Sequence, residues 1–458
     1  MKTLLLSLVA AGFACGQSEP TTTPYARSWT SNNGKEISAR LLGMTAGQAA
    51  LQLETGKVVQ IQPTRLSTED QAFLKTHSWP LPPKWKGWPT DLQVTLASIK
   101  IEDEGQKEKW FTYHSDHFEI AAEAQLGSTC VRQICRLLEG VYLLMEKSPW
   151  GILAEPKNER FRIELYQTEE NYVKNGGPAD SLGVYLTDRA VFMVPFESLG
   201  ITKGSSGWRQ ERDASSKTIV HELTHMLMAD ALSFLPPWLI EGVAEYMELI
   251  PLRTSVFRPN SLQSELRDHN TFMSSRVRGG HAASLKDVFG YNLYEWQSGG
   301  LSRDAVPSSN RRRSSVKPVT GFYHTGLLLT YYYIHLDGDG DAARLQRFIA
   351  ASKASEKQLE AFQVQLDKYK KEREDYDKAW DALEAHPDAI EVSPGEFKFP
   401  PSLKAPKAPV LPDYPFGDPD EEHIRFAKLD VLLEGQTTEN ALNTAYQALN
   451  ALKLKLQR

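Results

Sequence analysis

The chain has 458 residues, 41% of them hydrophobic and 24% charged, and a formal net charge of −6. These values exclude a fibre or a wholly disordered protein and leave room for one large core with a satellite unit. The acidic balance offers no general attraction for nucleic acid or anionic lipid, so no nucleic-acid partner is expected.

At the start, Lys2 and the apolar run LLLSLVAAGFA (Leu4 to Ala14) read as an export signal, too short to span a bilayer. Residues 1–16 are therefore expected to be removed, leaving an exported protein, periplasmic or extracellular. Cleavage before Cys15 would expose a lipid-anchoring cysteine, but Gly12 stands where lipoprotein signals usually carry leucine, so plain secretion and anchoring through Cys15 both stay open. No later stretch approaches the ~18 apolar residues of a spanning helix, and no transmembrane segment is expected in the mature chain. Cys130 and Cys135, five apart on one helix, would point roughly 140° away from each other. That defeats disulfide geometry and reads as two buried small apolar side chains.

Residues 25–76 alternate apolar and polar side chains in short runs (Ile37, Ala39, Leu41; Leu51, Leu53; Val59, Ile61). Turn signals at Asn32-Asn33-Gly34, Gly47 and Thr55-Gly56 separate the runs, and Ser67 caps a closing helical turn. The pattern W-T...G...A.L......L.L..GK.V.I....LS.ED resembles the SH3-like homology modules common on exported bacterial proteins. That resemblance implies a small all-β SH3-like barrel, acting as a spacer or as the receptor of a peptide or envelope ligand. A Trp/Pro linker (77–100) follows. Next, FTYHSDHFEIAAE reads as a strand pair, TCVRQICRLLEGVYLLMEK as an amphipathic helix, RFRIELYQ as a strand and GVYLTDRAVFMV as two strands around Thr187-Asp188-Arg189. Strands and a helix ahead of further helices define an α+β arrangement over 101–352.

Within IVHELTHMLMADALSFLPPWLIEGVAEYMEL, the i, i+4 spacing sets His221 and His225 one turn apart on one helix face, the geometry two imidazoles need to share a tetrahedral ion. Glu222 falls beside them, able to reach a metal-bound water without being a ligand. Pro237 suits the first turn of a second helix carrying Glu241 and Glu245 on one face. Glu241 would complete a His2Glu set with the fourth position left for water, and Glu245 could accept the second ring N–H of a histidine ligand. The competing reading is two amphipathic helices with partly buried polar residues.

HELTH followed by WLIEGVAEY resembles the gluzincin zinc metallopeptidases, in the compact peptidase-MA-like branch, with further likeness in GVYL before the helix and FYHTGLLLTYYYIHLDG after it. The resemblance implies a thermolysin-like zincin domain, one Zn2+ held by His221, His225 and Glu241, Glu222 as general base and Glu245 behind the ligands. It also implies Tyr323 or His324 as donor to the oxyanion, and a peptide or protein substrate laid along an edge strand at Ala190 to Val194. The interval from His225 to Glu241 is shorter than in thermolysin-like members, which leaves the pocket shape open.

Other features are plainer. DGDGD (Asp337 to Asp341) starts like a calcium loop, but its twelfth position is Phe348, and a Gly-rich turn with Asp341 as helix cap fits better. Arg311, Arg312 and Arg313 read as a solvated basic loop. Residues 353–386 carry Phe362, Leu366, Tyr369, Tyr376, Trp380 and Leu383 as one apolar stripe on a charged helix. A Pro-rich segment (387–422) and a helical tail (423–458) end the chain. The expectation is a secreted zinc metallohydrolase acting on peptides, with two rivals: a zinc hydrolase of another amide, and an exported cell-envelope scaffold with a silent gluzincin-like domain.

Overall fold

A computed structural model describes residues 26–95, 98–179, 181–205, 207–211, 216–253, 256–276, 288–289, 296, 319–393, 396–400, 406–410, 412 and 429–454. The export signal with Cys15, the Arg311–Arg313 run and about half of the Pro-rich segment lie outside the described residues.

β1 (Ala26–Thr30), β2 (Glu36–Thr45), β3 (Gln48–Leu53) and β4 (Val58–Ile61) form an antiparallel sheet in the order β1-β2-β3-β4. The three turn signals fall at its three hairpin turns. α1 (Thr68–His77) follows, with the Ser67 hydroxyl accepting the Asp70 N–H at 3.1 Å. Trp29 and Trp79 fill the interior and donate their indole N–H groups to the carbonyls of Ala39 and Leu42.

The strands form a four-stranded antiparallel sheet, with no full barrel among the described residues; the end of β1 bonds on to the chain after β4, the Asn32 N–H donating to the Arg65 carbonyl at 2.8 Å and the Ser67 N–H to the Thr30 carbonyl at 2.7 Å. β1 pairs only with the first half of β2, through Arg40. Beside the second half lies the linker: Met44 exchanges backbone hydrogen bonds with Trp79 and Leu81, both 2.7 Å. Gly43 permits this approach, since a Cβ there would sit 3.0 Å from the Trp79 ring nitrogen. The linker that follows the module therefore lies along the second half of β2.

After β5 (Leu92–Gln93), a mixed six-stranded sheet is built from β6 (Glu102–Lys107), β7 (Trp110–His114), β8 (Phe118–Ala122), β9 (Phe161–Tyr166), β10 (Val184–Leu186) and β11 (Val191–Pro195). Its order is β10-β11-β9-β8-β7-β6. β8, β9 and β11 are parallel, and their neighbours are antiparallel. α2 (Ser128–Lys147) makes the crossover between β8 and β9 and covers one face, where Phe118, Ile120, Ile163, Leu165, Phe192 and Val194 point. α3 (Glu169–Lys174) lies on the other face, where Tyr172 meets Tyr166, Val191 and Met193. Burial pushes the Cys130 thiol up to about 11 and the Cys135 thiol up to about 12, and both are buried free cysteines.

Then come α4 (Lys217–Leu227), α5 (Pro237–Leu249), α6 (Leu262–Arg276), α7 (Val319–His335), α8 (Ala343–Glu384), α9 (Leu429–Leu433) and α10 (Thr438–Ala451). α4 packs between the sheet side and α5, and α5 lies along α7. The last contact is a glycine crossing. A Cβ on Gly242 would fall 2.3 Å from the Thr330 hydroxyl and 2.4 Å from the Gly326 carbonyl oxygen, and one on Gly326 would fall 2.6 Å from the Trp238 carbonyl oxygen. Leu432, Leu442 and Leu449 of the tail enter the same core as Trp238 and Leu328. In the DGDGD turn, Asp337 pairs with Arg344 at 3.1 Å and Asp341 accepts the Ala343 N–H at 3.2 Å, one residue ahead of the helix cap at Ala342. On the outer half of α8 the apolar stripe meets returning chain: the Trp380 ring lies 5.8 Å from that of Phe399, tilted by 55°.

The N-terminal sheet is tied to these helices. Glu434 receives Arg40 at 3.0 Å, Arg344 at 3.4 Å and Arg347 at 2.7 Å, while Ala351 and Val431 join the core around Trp29. Because the α5–α7 crossing leaves no room for a methyl group, Gly242→Ala should lower unfolding stability by about 1–3 kcal/mol, the usual cost of overpacking. Chemical denaturation checks this, and a variant as stable as the parent would show that the crossing is looser than described.

Candidate metal centre

α4 buries Ile219, Val220, Leu223, Met226 and Leu227 in the core, which fixes its rotation and turns His221 and His225 toward α5. A short turn at Ala229–Ala231 and two prolines end the connection, with Pro237 in the first turn of α5 where its missing N–H costs nothing. α5 is apolar except on one face. Trp238, Leu239, Val243, Tyr246, Met247 and Leu249 are buried, and Glu241, Glu245 and Glu248, at i, i+4 and i+7, line the face toward the histidines.

The contacts converge on His221. Its Nε2 lies 3.3 Å from Glu241 Oε2, and His225 Nε2 lies 3.4 Å from the same oxygen. On the other side of the ring, His221 Nδ1 is 3.3 Å from Glu248 Oε2 and 3.8 Å from Glu245 Oε1. Glu241, Glu245 and Glu248 keep only 12%, 15% and 17% of their side-chain exposure. Three carboxylates this far from water are costly unless positive charge faces them.

Glu241 Oε2 accepts no hydrogen bond although it is buried against two imidazoles. An orphaned oxygen with two ring nitrogens aimed at it is an arrangement for a cation. Ligand atoms bound at about 2.0–2.1 Å in a tetrahedron stand about 3.3–3.4 Å apart, which is the spacing found here. The residues present thus fit a metal ion in a His221, His225 and Glu241 set.

The electrostatics agree. Against burial, the charges of His225 and His221 hold Glu241 down to about 2. Burial, reinforced by Glu248, pushes Glu245 up to about 8. Burial raises Glu222, which lies within the field of both histidines and Glu241. Although burial opposes it, the neighbouring carboxylates of Glu241 and Glu248 hold His221 well above the usual histidine range.

The two remaining candidates separate. Tyr323 comes to the cluster from α7, its ring 6.3 Å from that of His221. Burial, then the charges of Glu241, Glu245 and Glu222, raises its hydroxyl well above the ordinary tyrosine value. His324 turns away: it is buried, its Nε2 lies 2.9 Å from Asn270 Nδ2 of α6, and its ring stands 5.3 Å from that of His269. Burial holds it down to about 3, a neutral ring.

The strand expected at Ala190 to Val194 is not an edge. β11 is paired on both sides, by β9 and by β10, and the edge beside α4 is β10, which carries Tyr185. Glu248 went unread in the sequence, although the i+7 spacing from Glu241 puts it on the same face. Compared with known proteins, the chain matches no family profile and no curated sequence.

Because His221 must shed a proton before both its nitrogens are committed, a divalent transition-metal ion added to metal-free protein should displace about one proton at neutral pH and raise the melting temperature. Affinity should grow as pH rises and weaken as it falls. Calorimetry in two buffers of different ionisation enthalpy measures the proton count. No proton release together with no thermal shift would mean that the cluster takes no ion.

Proposed function

We propose that the chain is an exported zinc-dependent hydrolase, most simply a peptidase of the gluzincin kind, with an SH3-like module in its N-terminal sheet. The observation that carries this reading is the orphaned Glu241 oxygen at ligand spacing from two imidazole nitrogens, with Glu222 on the same turn of α4. His221, His225 and Glu241 would hold the ion. Bound there, zinc supplies a Lewis acid for a carbonyl oxygen and acidifies a water molecule.

The protein's own groups divide the remaining work. Glu222 takes the proton of the attacking water, and burial makes it a stronger base than an exposed carboxylate. Tyr323 is kept protonated by burial and by the carboxylates around it, so its hydroxyl stays a donor for the oxygen that becomes negative. His324, engaged with Asn270, serves the α6–α7 contact. The free side of β10 accepts an extended peptide by backbone pairing, which gives affinity with little sequence preference. The linker already lies on the β2 edge of the N-terminal sheet, so a ligand of that module would use another face.

Metal analysis and a peptide-library assay on paired variants test this reading. The parent should hold about one zinc per chain, since two histidines, a glutamate and water complete a tetrahedral set. Glu222→Gln should keep that zinc and lose at least ~10² to 10⁴-fold in turnover, the range ascribed to general base catalysis. Loss of zinc in Glu222→Gln, or full turnover by it, would refute the assignment.

A further inference from the structure

We infer that Glu248 is the residue that positions His221 for metal binding, by accepting the Nδ1 proton and locking the ring against rotation. The inference rests on the metal reading proposed above and adds to it a residue two turns beyond the Glu241 ligand.

The two nitrogens of His221 face two carboxylates of one helix. Nε2 meets Glu241 and Nδ1 meets Glu248, each at 3.3 Å. Seven residues of α-helix rise about 10.5 Å, so the imidazole lies lengthwise along α5, held at both ends. For Nε2 to offer its lone pair to an ion, the ring proton must sit on Nδ1, and a neutral imidazole keeps that tautomer only where an acceptor waits for it. At 3.3 Å, Glu248 Oε2 is the carboxylate oxygen nearest that nitrogen. Glu245, one turn nearer the ligand, stands 3.8 Å away, beyond hydrogen-bond range. The brace is selective: among the described residues no carboxylate lies within 4.0 Å of Nδ1 of His225, whose one acidic neighbour is Glu241 at Nε2. Of the two histidines, only His221 is fixed from behind, and it is also the more buried.

A structural role for Glu248 would cost stability in any variant, whereas a positioning role follows the hydrogen-bond acceptor. Zinc affinity is therefore compared by chelator competition for the full chain, Glu248→Ala, Glu248→Gln and Glu245→Ala, with nitrogen-15 spectra of the histidine rings in the zinc-loaded proteins. Glu248→Ala should weaken zinc by ~10 to 100-fold, the usual loss when the partner of a ligating histidine is removed. Glu248→Gln keeps an acceptor oxygen at the same place and should recover most of that loss. Glu245→Ala should cost less than Glu248→Ala. The His221 Nδ1 proton should be visible and hydrogen-bonded in the parent and in Glu248→Gln, and lost in Glu248→Ala. Parental affinity in Glu248→Ala, or equal losses in the Gln and Ala variants, would overturn the inference while leaving the metal site intact. Loss of all binding in Glu248→Ala, with His225→Ala and Glu241→Ala still loaded, would place the ion among His221, Glu245 and Glu248 and overturn it too. A parent chain that takes up no zinc would instead bring down the metal reading itself.

Discussion

Three carboxyl groups share one face of α5, a helix otherwise committed to the hydrophobic core, and each must be met there by positive charge or by a proton. Each ionised group withdrawn from water carries a penalty of several kcal/mol before compensation. Two histidines of α4 supply part of the answer, and their focus with Glu241 is a place that could hold a cation. Because a misplacement of 1 Å would leave charges facing nothing, α5 is fixed from every side. Gly242 lets α7 approach to backbone contact on one flank. On another, Trp88 donates to the Tyr246 hydroxyl at 2.8 Å, and that hydroxyl meets His335 Nε2 at 2.8 Å, so the helix is pinned to both the linker and α7.

The rest of the architecture brings distant groups to this face. The parallel β8, β9 and β11 pairings, with α2 over them, make the platform on which α4 is rotated. The antiparallel β10 then forms the end of that sheet, beside α4. Tyr323 arrives from nearly one hundred residues further on, carried by α7. The N-terminal sheet takes no part in the cluster, yet it does not hang free, since Glu434 gathers arginines from β2 and α8 and ties it to the helical layer.

Much of the site was legible in the sequence for a local reason. On a helix, the i, i+4 rule alone sets His221 beside His225 and Glu241 beside Glu245, and the proline pair marks where the second helix starts. The same rule extended by one more turn would have included Glu248. What stayed hidden depends on contacts between remote segments. Alternation locates strands but not their order, so β11 read as an edge although β10 lies outside it. Alternation likewise cannot say what meets the edges of a sheet: around Trp29 the end of β1 bonds to Arg65–Ser67, and the second half of β2 bonds to Trp79–Leu81. Tyr323 and His324 are neighbours on one helix, and only the tertiary packing of α6 separates the one at the cluster from the one at Asn270.

The central claim is that the buried face of α5 and the two histidines of α4 form one metal site. Crystals of the zinc-soaked protein, measured on both sides of the zinc absorption edge, test it most directly. The account predicts one anomalous peak per chain, bonded to His221 Nε2, His225 Nε2 and a Glu241 oxygen at about 2.0–2.2 Å. An empty cluster, or a peak bound by Glu245 and Glu248 with Glu241 left free, would contradict it.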